Sequence, residues 1–177
     1  MILKKNRIGI LGGSFDPAHR GHLAISKEAV KKFKLKKIIW AITKRNPFKK
    51  QSNKNIFDRI NYCKRIIGKT NYIQVRFYED KIKSNKTFKL VDYLSKNSNH
   101  EIYFIMGADN LINFHKWHKW KKISEKCKII VFDRHGYKKK SLNSLSFKRL
   151  NGNNLRFIEF SDFFLYPCRS NTKILHL

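Results

Sequence analysis

The run Gly12-Gly13-Ser14-Phe15-Asp16-Pro17-Ala18-His19-Arg20-Gly21-His22 constrains this chain more than any other stretch. Ahead of it, Ile8, Gly9, Ile10 and Leu11 form a short apolar run suited to a buried strand; behind it, Leu23 to Phe33 carry apolar residues at helical spacing. A strand, a glycine turn and a helix therefore follow in order. Gly12 and Gly13 lack Cβ, so the backbone there can approach a ligand closely and offer N–H groups to an anion. Asp16-Pro17 reads as an N-cap followed by a first-turn proline, which sets the helix start between Pro17 and Gly21. His19 and His22, three positions apart, then lie on nearly one face of the helix N-terminus, where unpaired N–H groups and the dipole favour negative charge. Two imidazoles there can donate to the non-bridging oxygens of a polyphosphate, which stabilises the transition state of phosphoryl or nucleotidyl transfer without a covalent step. The glycine pair alone is also an ordinary tight turn, and the histidine pair alone a solvated pair or weak metal site. The eleven linked positions together point to a phosphate site.

Gly-Gly-Ser-Phe-Asp-Pro-x-His-x-Gly-His resembles the signature of the nucleotidylyltransferases with a His-x-Gly-His motif. With His at position 19 it is most similar to the bacterial nicotinate-nucleotide adenylyltransferases; the relatives that make dephospho-coenzyme A usually have Thr there. The resemblance implies His19 and His22 as catalytic residues, Gly12, Gly13, Ser14 and Phe15 at the ATP phosphates, and Asp16 on the substrate side.

Further along, Ile38 to Ile42 is long enough for a buried parallel strand. The basic loop after it resembles the family's Asn-Pro-Pro-His-Lys, with Asn46, Pro47 and Lys49 or Lys50 in matching places and Phe48 replacing part of it, which implies Lys49 on the substrate side; an ordinary charged loop is the alternative. Ile56 to Ile67 repeats apolar residues at helical spacing and Gly68 ends it, as a C′ glycine does. Tyr72 to Val75 gives a third strand, and a polar connection after Phe77 to Asp80 leads to a helix beginning near Asn85 to Thr87. By resemblance Thr87 helps to hold the nicotinate carboxylate; a helix cap is the alternative.

Ile102 to Met106 is the next buried strand, ending at Gly107-Ala108-Asp109. A carboxylate just beyond a strand's C-terminal edge can take hydrogen bonds from ribose hydroxyls, though Asp is also a common N-cap. Met106 to Trp120 closely resembles the family's second signature, in which the Asp binds ribose and the first Trp stacks on the nicotinate ring. That assigns Gly107, Asp109 and Trp117 to substrate, with a cation–π contribution from the pyridinium. Phe114, Trp117 and Trp120 otherwise read as core. His115 and His118 repeat a His-x-x-His, but no acid or thiol at conventional spacing completes a zinc set, so no metal is assigned and His118 is a pocket residue.

Lys128 to Phe132 is the fifth strand. Arg134 follows, in a turn resembling the family's Arg-Pro-Gly with His135 for proline; it belongs to the nucleotide pocket or to a surface ion pair. Tyr137 to Asn154 is basic and Ser/Asn/Lys-rich, a mobile connection with at most one short helix, before a last strand from Leu155 to Phe160. Arg169 to Leu175 resembles the closing Ile-Ser-Ser-Thr-x-Ile-Arg, with Ser170 and Thr172 matching at the ATP phosphates, Asn171 in place of a Ser and Leu175 in place of the Arg.

Alternating strands and helices predict an α/β fold: a Rossmann-like parallel sheet with helices on both faces, in one domain over residues 1–177. Forty Lys and Arg against twelve acidic residues give a net charge of +28. The lysines are spread through the chain rather than gathered in a stripe, so a solvated basic surface that attracts nucleotide phosphates is expected in preference to a nucleic-acid interface. The three cysteines form no Cys-x-x-Cys pair, and no run approaches a membrane span, which predicts a soluble protein of the reducing cytoplasm. The resemblance implies adenylyl transfer from ATP, carried with Mg²⁺, to nicotinate mononucleotide. Its rivals are the same chemistry on nicotinamide mononucleotide or phosphopantetheine, and a nucleotide- or RNA-binding relative that has lost catalysis.

Overall fold

The computed structural model describes residues 6–44, 54–96, 99–152 and 154–159. Six strands, β1 (Asn6–Gly13), β2 (Lys37–Ile42), β3 (Ile73–Phe77), β4 (His100–Gly107), β5 (Lys128–Phe132) and β6 (Leu155–Ile158), pair in the order β3-β2-β1-β4-β5-β6. Every pairing is parallel, with Ile10 opposite Ile39 on one side of β1 and Phe104 on the other. Parallel strands need crossovers, and these are α1 (Arg20–Phe33), α2 (Ile56–Ile67), α3 (Glu79–Ile82), α4 (Thr87–Lys96), α5 (Ala108–Asn113), α6 (Trp120–Lys126), α7 (Lys138–Leu142) and α8 (Leu145–Leu150).

The continuous apolar strand sequences follow from a sheet covered on both faces. Ile10, Ile39, Phe104 and Val131 point to one side, where Val91 of α4, Leu111 of α5 and Ile123 of α6 meet them. Leu11, Trp40, Ile105 and Ile130 point to the other, against Ala29 of α1 and Cys63 of α2. Each fully buried side chain of this kind stabilises the fold by roughly 2 kcal/mol. Gly9 is closely enclosed: a Cβ there would sit 2.9 Å from Ile38 Cγ1 and 3.0 Å from both Ile105 Cδ1 and Leu35 Cδ1. Among the described residues no helix is long and apolar enough to cross a membrane.

Two expectations need correction. Residues 137–154 are not an irregular connection with one helix, because α7 and α8 both form there. Their small serines allow it: Ser141, Ser144 and Ser146 are buried, and the hydroxyls of Ser141 and Ser144 bond to backbone carbonyls within the segment. Ser144 also caps α8 by accepting from Phe147 N–H at 3.2 Å. The polar connection after Phe77 likewise contains a turn of helix, α3. Phe160 falls outside the described residues.

Candidate active site

The strand order reverses direction at β1: β2 is on one side and β4 on the other. In open parallel sheets the loops at such a point part to leave a crevice beyond the strands' C-terminal ends. A cavity of about 870 Å³ opens there, lined by the turn after β1, the end of β4 and the loop after β5.

The turn after β1 is built differently from the sequence expectation. Asp16 does not cap α1; the Asp16–Pro17 peptide is cis, and the N-cap is His19. His19 Nδ1 accepts from Gly21 N–H at 3.1 Å, and His22 Nδ1 accepts from His19 N–H at 3.1 Å. The helix thus satisfies two of its orphan donors with the imidazoles themselves, in a capping box of histidines. An Nδ1 that accepts carries no proton, so each neutral ring has its proton on Nε2. The rings lie 3.9 Å apart between centroids.

Phe15 has φ +49°, a left-handed backbone that is costly for a side chain of this size. Packing holds it: its ring is buried, stacked on Trp40 at 5.0 Å and 18°, and 4.9 Å from the ring of His22. Trp40 Nε1–H donates to Ser26 Oγ at 2.9 Å, and Ser26 Oγ–H donates to the His22 carbonyl at 2.8 Å. One buried tryptophan therefore braces both Phe15 and the backbone of His22.

Across the cavity, Asp109 is the second residue of α5, and its side chain folds back over Gly107. A Cβ on Gly107 would lie 2.5 Å from Asp109 Oδ1. The other oxygen, Oδ2, accepts from Arg134 Nη1–H at 2.8 Å, so the ribose candidate and the nucleotide-pocket candidate meet as an ion pair. Trp117 is half-buried, edge-on to Phe104 at 6.0 Å and to Phe114 at 5.2 Å. Phe114 is fully buried and belongs to the core, whereas Trp117 and His118 line the cavity. His115 turns away, and its backbone N–H donates to Ser146 Oγ at 2.9 Å.

Gly12, Gly13, Ser14, Phe15, Asp16, His19 and His22 all line this space, as do Thr87, Gly107, Asp109, Trp117, His118 and Arg134. Thr87 is the first residue of α4. Lys49, Ser170 and Thr172 lie outside the described residues. Sequence reasoning passed over Tyr78 and Glu79, which also line the cavity. Glu79 accepts from the Thr43 hydroxyl through Oε1 and from Lys44 N–H at 3.2 Å through Oε2. It passed over buried Arg59 too, although Arg59 falls on the apolar stripe of α2 between Ile56, Ile60 and Cys63, where a charge is out of place.

The sheet order, the glycine turn lining the crevice and the opposed carboxylate and aromatic side chain are those of a nucleotide-binding α/β protein. Its sequence matches the cytidylyltransferase-like family model over residues 10–170. A protein of Pelagibacter ubique (strain HTCC1062) named "Probable nicotinate-nucleotide adenylyltransferase" is 62% identical over 157 residues, 89% of this chain and 87% of that one. A protein of Agrobacterium fabrum with the same name is 37% identical over 131 residues, 73% of this chain and 70% of its own. The structure of Plasmodium falciparum nicotinic acid mononucleotide adenylyltransferase complexed with APC superposes with a TM-score of 0.72, covering 88% of this chain and 75% of that one; at 20% identity it shows the shared fold. The chain belongs to the cytidylyltransferase-like family, among the nicotinate-nucleotide adenylyltransferases.

Proposed function

We propose that this chain, working as one domain, transfers the adenylyl group of ATP to nicotinate mononucleotide, giving nicotinate adenine dinucleotide and pyrophosphate. The observation that carries the reading is the opposition, across one cavity, of two histidines at a helix N-terminus, whose Nδ1 atoms accept backbone N–H bonds, and the Asp109–Trp117 wall. A phosphate oxygen of the mononucleotide attacks the α-phosphorus of ATP. The new O–P bond forms as the bond to the bridging oxygen of pyrophosphate breaks, and that oxygen leaves with the electron pair. No protein nucleophile is used.

His19 and His22 donate through Nε2 to the phosphate chain and offset the charge that grows on the α-phosphate and the leaving pyrophosphate. The N–H groups of the glycine turn add to this, and the N-terminus of α1 aligns the chain for in-line attack. Asp109 takes the ribose hydroxyls and Trp117 the face of the pyridinium ring. Arg134, released from Asp109, contacts the nucleotide. By resemblance to the family, Lys49 contacts the mononucleotide substrate, and Ser170 and Thr172 complete the ATP phosphate contacts. Mg²⁺ enters as part of the ATP substrate, held by phosphate and water. The reducing cytoplasm is the compartment that suits its thiols.

The test supplies ATP, Mg²⁺ and, in turn, nicotinate mononucleotide, nicotinamide mononucleotide and phosphopantetheine, and measures pyrophosphate release. Release with the acid mononucleotide at the highest kcat/KM supports the reading. Replacing His22 with Ala lowers kcat by about 100-fold or more while the apparent KM for ATP changes much less, as removal of a transition-state donor does. Equal turnover in His22→Ala would sink the assigned role. No release with any acceptor, together with salt-sensitive RNA binding, would favour the non-catalytic alternative.

A further inference from the structure

Arg59 is 3% exposed and borders no part of the cavity, yet its guanidinium is tied to the cavity's wall. Its Nη1 donates to the Ser14 carbonyl at 2.7 Å and the Thr43 carbonyl at 2.8 Å, and its Nη2 donates to the Lys44 carbonyl at 3.2 Å. Ser14 follows β1, and Thr43 and Lys44 follow β2. One side chain from α2 therefore joins the phosphate turn to the end of the neighbouring strand, reinforcing the bond from Thr43 N–H to the Gly13 carbonyl at 3.0 Å. Three carbonyls in this spread suit a planar fork and not the single point of a lysine ammonium.

Among the described residues no carboxylate pairs with Arg59, and its buried Nε–H has no acceptor. A buried cation without a counter-ion is costly, and hydrogen bonds to neutral carbonyls offset that only in part. The turn itself indicates where the charge is used. A peptide unit is planar and trans, so with the Ser14 carbonyl aimed at Arg59 the Phe15 N–H points the opposite way. Ser14 and Phe15 line the cavity and Arg59 does not, so Arg59 holds the turn from outside the cavity. A cation on the carbonyl also polarises the peptide and makes its N–H a stronger donor to an anion.

We propose that Arg59 is a positioning residue for the adenylyl transfer inferred above: it fixes the Ser14–Phe15 peptide with its N–H toward the phosphate chain and supplies a permanent positive charge from behind the turn. The proposal rests on that functional reading, but one of its readouts does not.

Arg59→Lys, which keeps the charge and loses the fork, and Arg59→Met, which keeps only the stem, are compared with the unaltered chain well below their melting temperatures. Circular dichroism fixes the folded fraction, pyrophosphate release gives kcat and KM, and calorimetry gives the affinity for inorganic pyrophosphate. Per folded molecule, kcat falls about 100-fold in Arg59→Met and about 10-fold in Arg59→Lys, while KM for the mononucleotide stays within about threefold. Inorganic pyrophosphate binds at least about tenfold more weakly to both. Millimolar guanidinium ion restores part of the turnover of Arg59→Ala and methylammonium does not, a response that a merely structural role would not give. Folded variants with kcat and pyrophosphate affinity within about threefold of the unaltered chain would overturn the proposal. If Met and Ala variants do not fold, Arg59→Lys decides alone. If the unaltered chain is inactive with every acceptor, the functional reading fails, and the pyrophosphate affinities by themselves decide for or against Arg59.

Discussion

Replacing Gly107 with alanine tests the proposed ribose-binding role of Asp109 without deleting any side chain. Gly107 has φ −81° and ψ 158°, an extended backbone that alanine adopts without strain. The added Cβ would lie 2.5 Å from Asp109 Oδ1, roughly 0.9 Å inside the ~3.4 Å of ordinary C···O contact. The half-buried carboxylate must swing aside, and its bond to Arg134 at 2.8 Å breaks or shifts with it. No buried apolar group moves, so the melting temperature changes by no more than about 2 °C. The function responds differently. A hydrogen bond to a charged group is worth about 1.5–3 kcal/mol, so nicotinate mononucleotide binds roughly 10- to 150-fold more weakly. Calorimetric titration with the mononucleotide reads this directly. Because the effect passes through Asp109, the Gly107→Ala/Asp109→Ala double variant should bind no worse than Asp109→Ala alone. Unchanged affinity in Gly107→Ala, or losses that simply add in the double variant, would refute the reasoning.

Gly9→Ala, on the same strand as Gly12 and Gly13 but inside the core, has the converse signature. Its Cβ would meet three side-chain carbons at 2.9–3.0 Å, so thermal or urea unfolding shows a loss of about 1–3 kcal/mol with kcat of the folded protein retained. Burial pushes the Glu101 carboxyl up, but Lys128 at 2.5 Å and Arg7 at 2.9 Å outweigh it and hold it below the usual carboxylate range. Glu101 therefore contributes stability that is fully present above pH 4.5 and is lost as pH falls through its lowered value. Glu101→Gln should cost about 1 kcal/mol at pH 7, a cost that shrinks as acid protonates the Glu101 carboxyl, in parallel thermal melts across pH 3 to 7. Burial raises the thiol of Cys63 to about 11 and that of Cys127 to about 12, so neither is ionised at neutral pH. Peptide mapping after iodoacetamide treatment should find both unlabelled in the native protein and labelled after unfolding.

How much of this was legible in the sequence follows from which physics was local. Residues 56–67 repeat at helical spacing up to Gly68, and α2 has those bounds, with Gly68 at φ +52°. Residues 128–132 are apolar without interruption because β5 is covered on both faces, and the strand has those bounds as well. The cap of α1 was not legible. Asp-Pro is a common opening for a helix, but the competition was won by an imidazole that accepts from Gly21 N–H two residues into the next turn. Nor was the fold of residues 137–154, since serine reads as polar until its hydroxyl is seen bonded to its own helix. The two signatures show no sign of each other in the sequence; the cavity joins them only because β1 and β4 are neighbours. Arg59 left a faint signal, a charge on an apolar stripe, which carries meaning only once the carbonyls around it are known.

The placement of β1 also bears on how the chain comes off the ribosome. β1 is an inner strand, but its partner on one side, His100–Gly107, is synthesised some ninety residues after it. Until then the emerging half-sheet, β3-β2-β1, presents Ile8, Ile10 and Leu11 along an open edge whose N–H and C=O groups are unpaired. An apolar edge of that kind is a template for pairing with another chain. The strand that leads into the Gly12–Gly13 turn is thus, during synthesis, open to mispairing, and any delay between β3 and β4 lengthens that exposure.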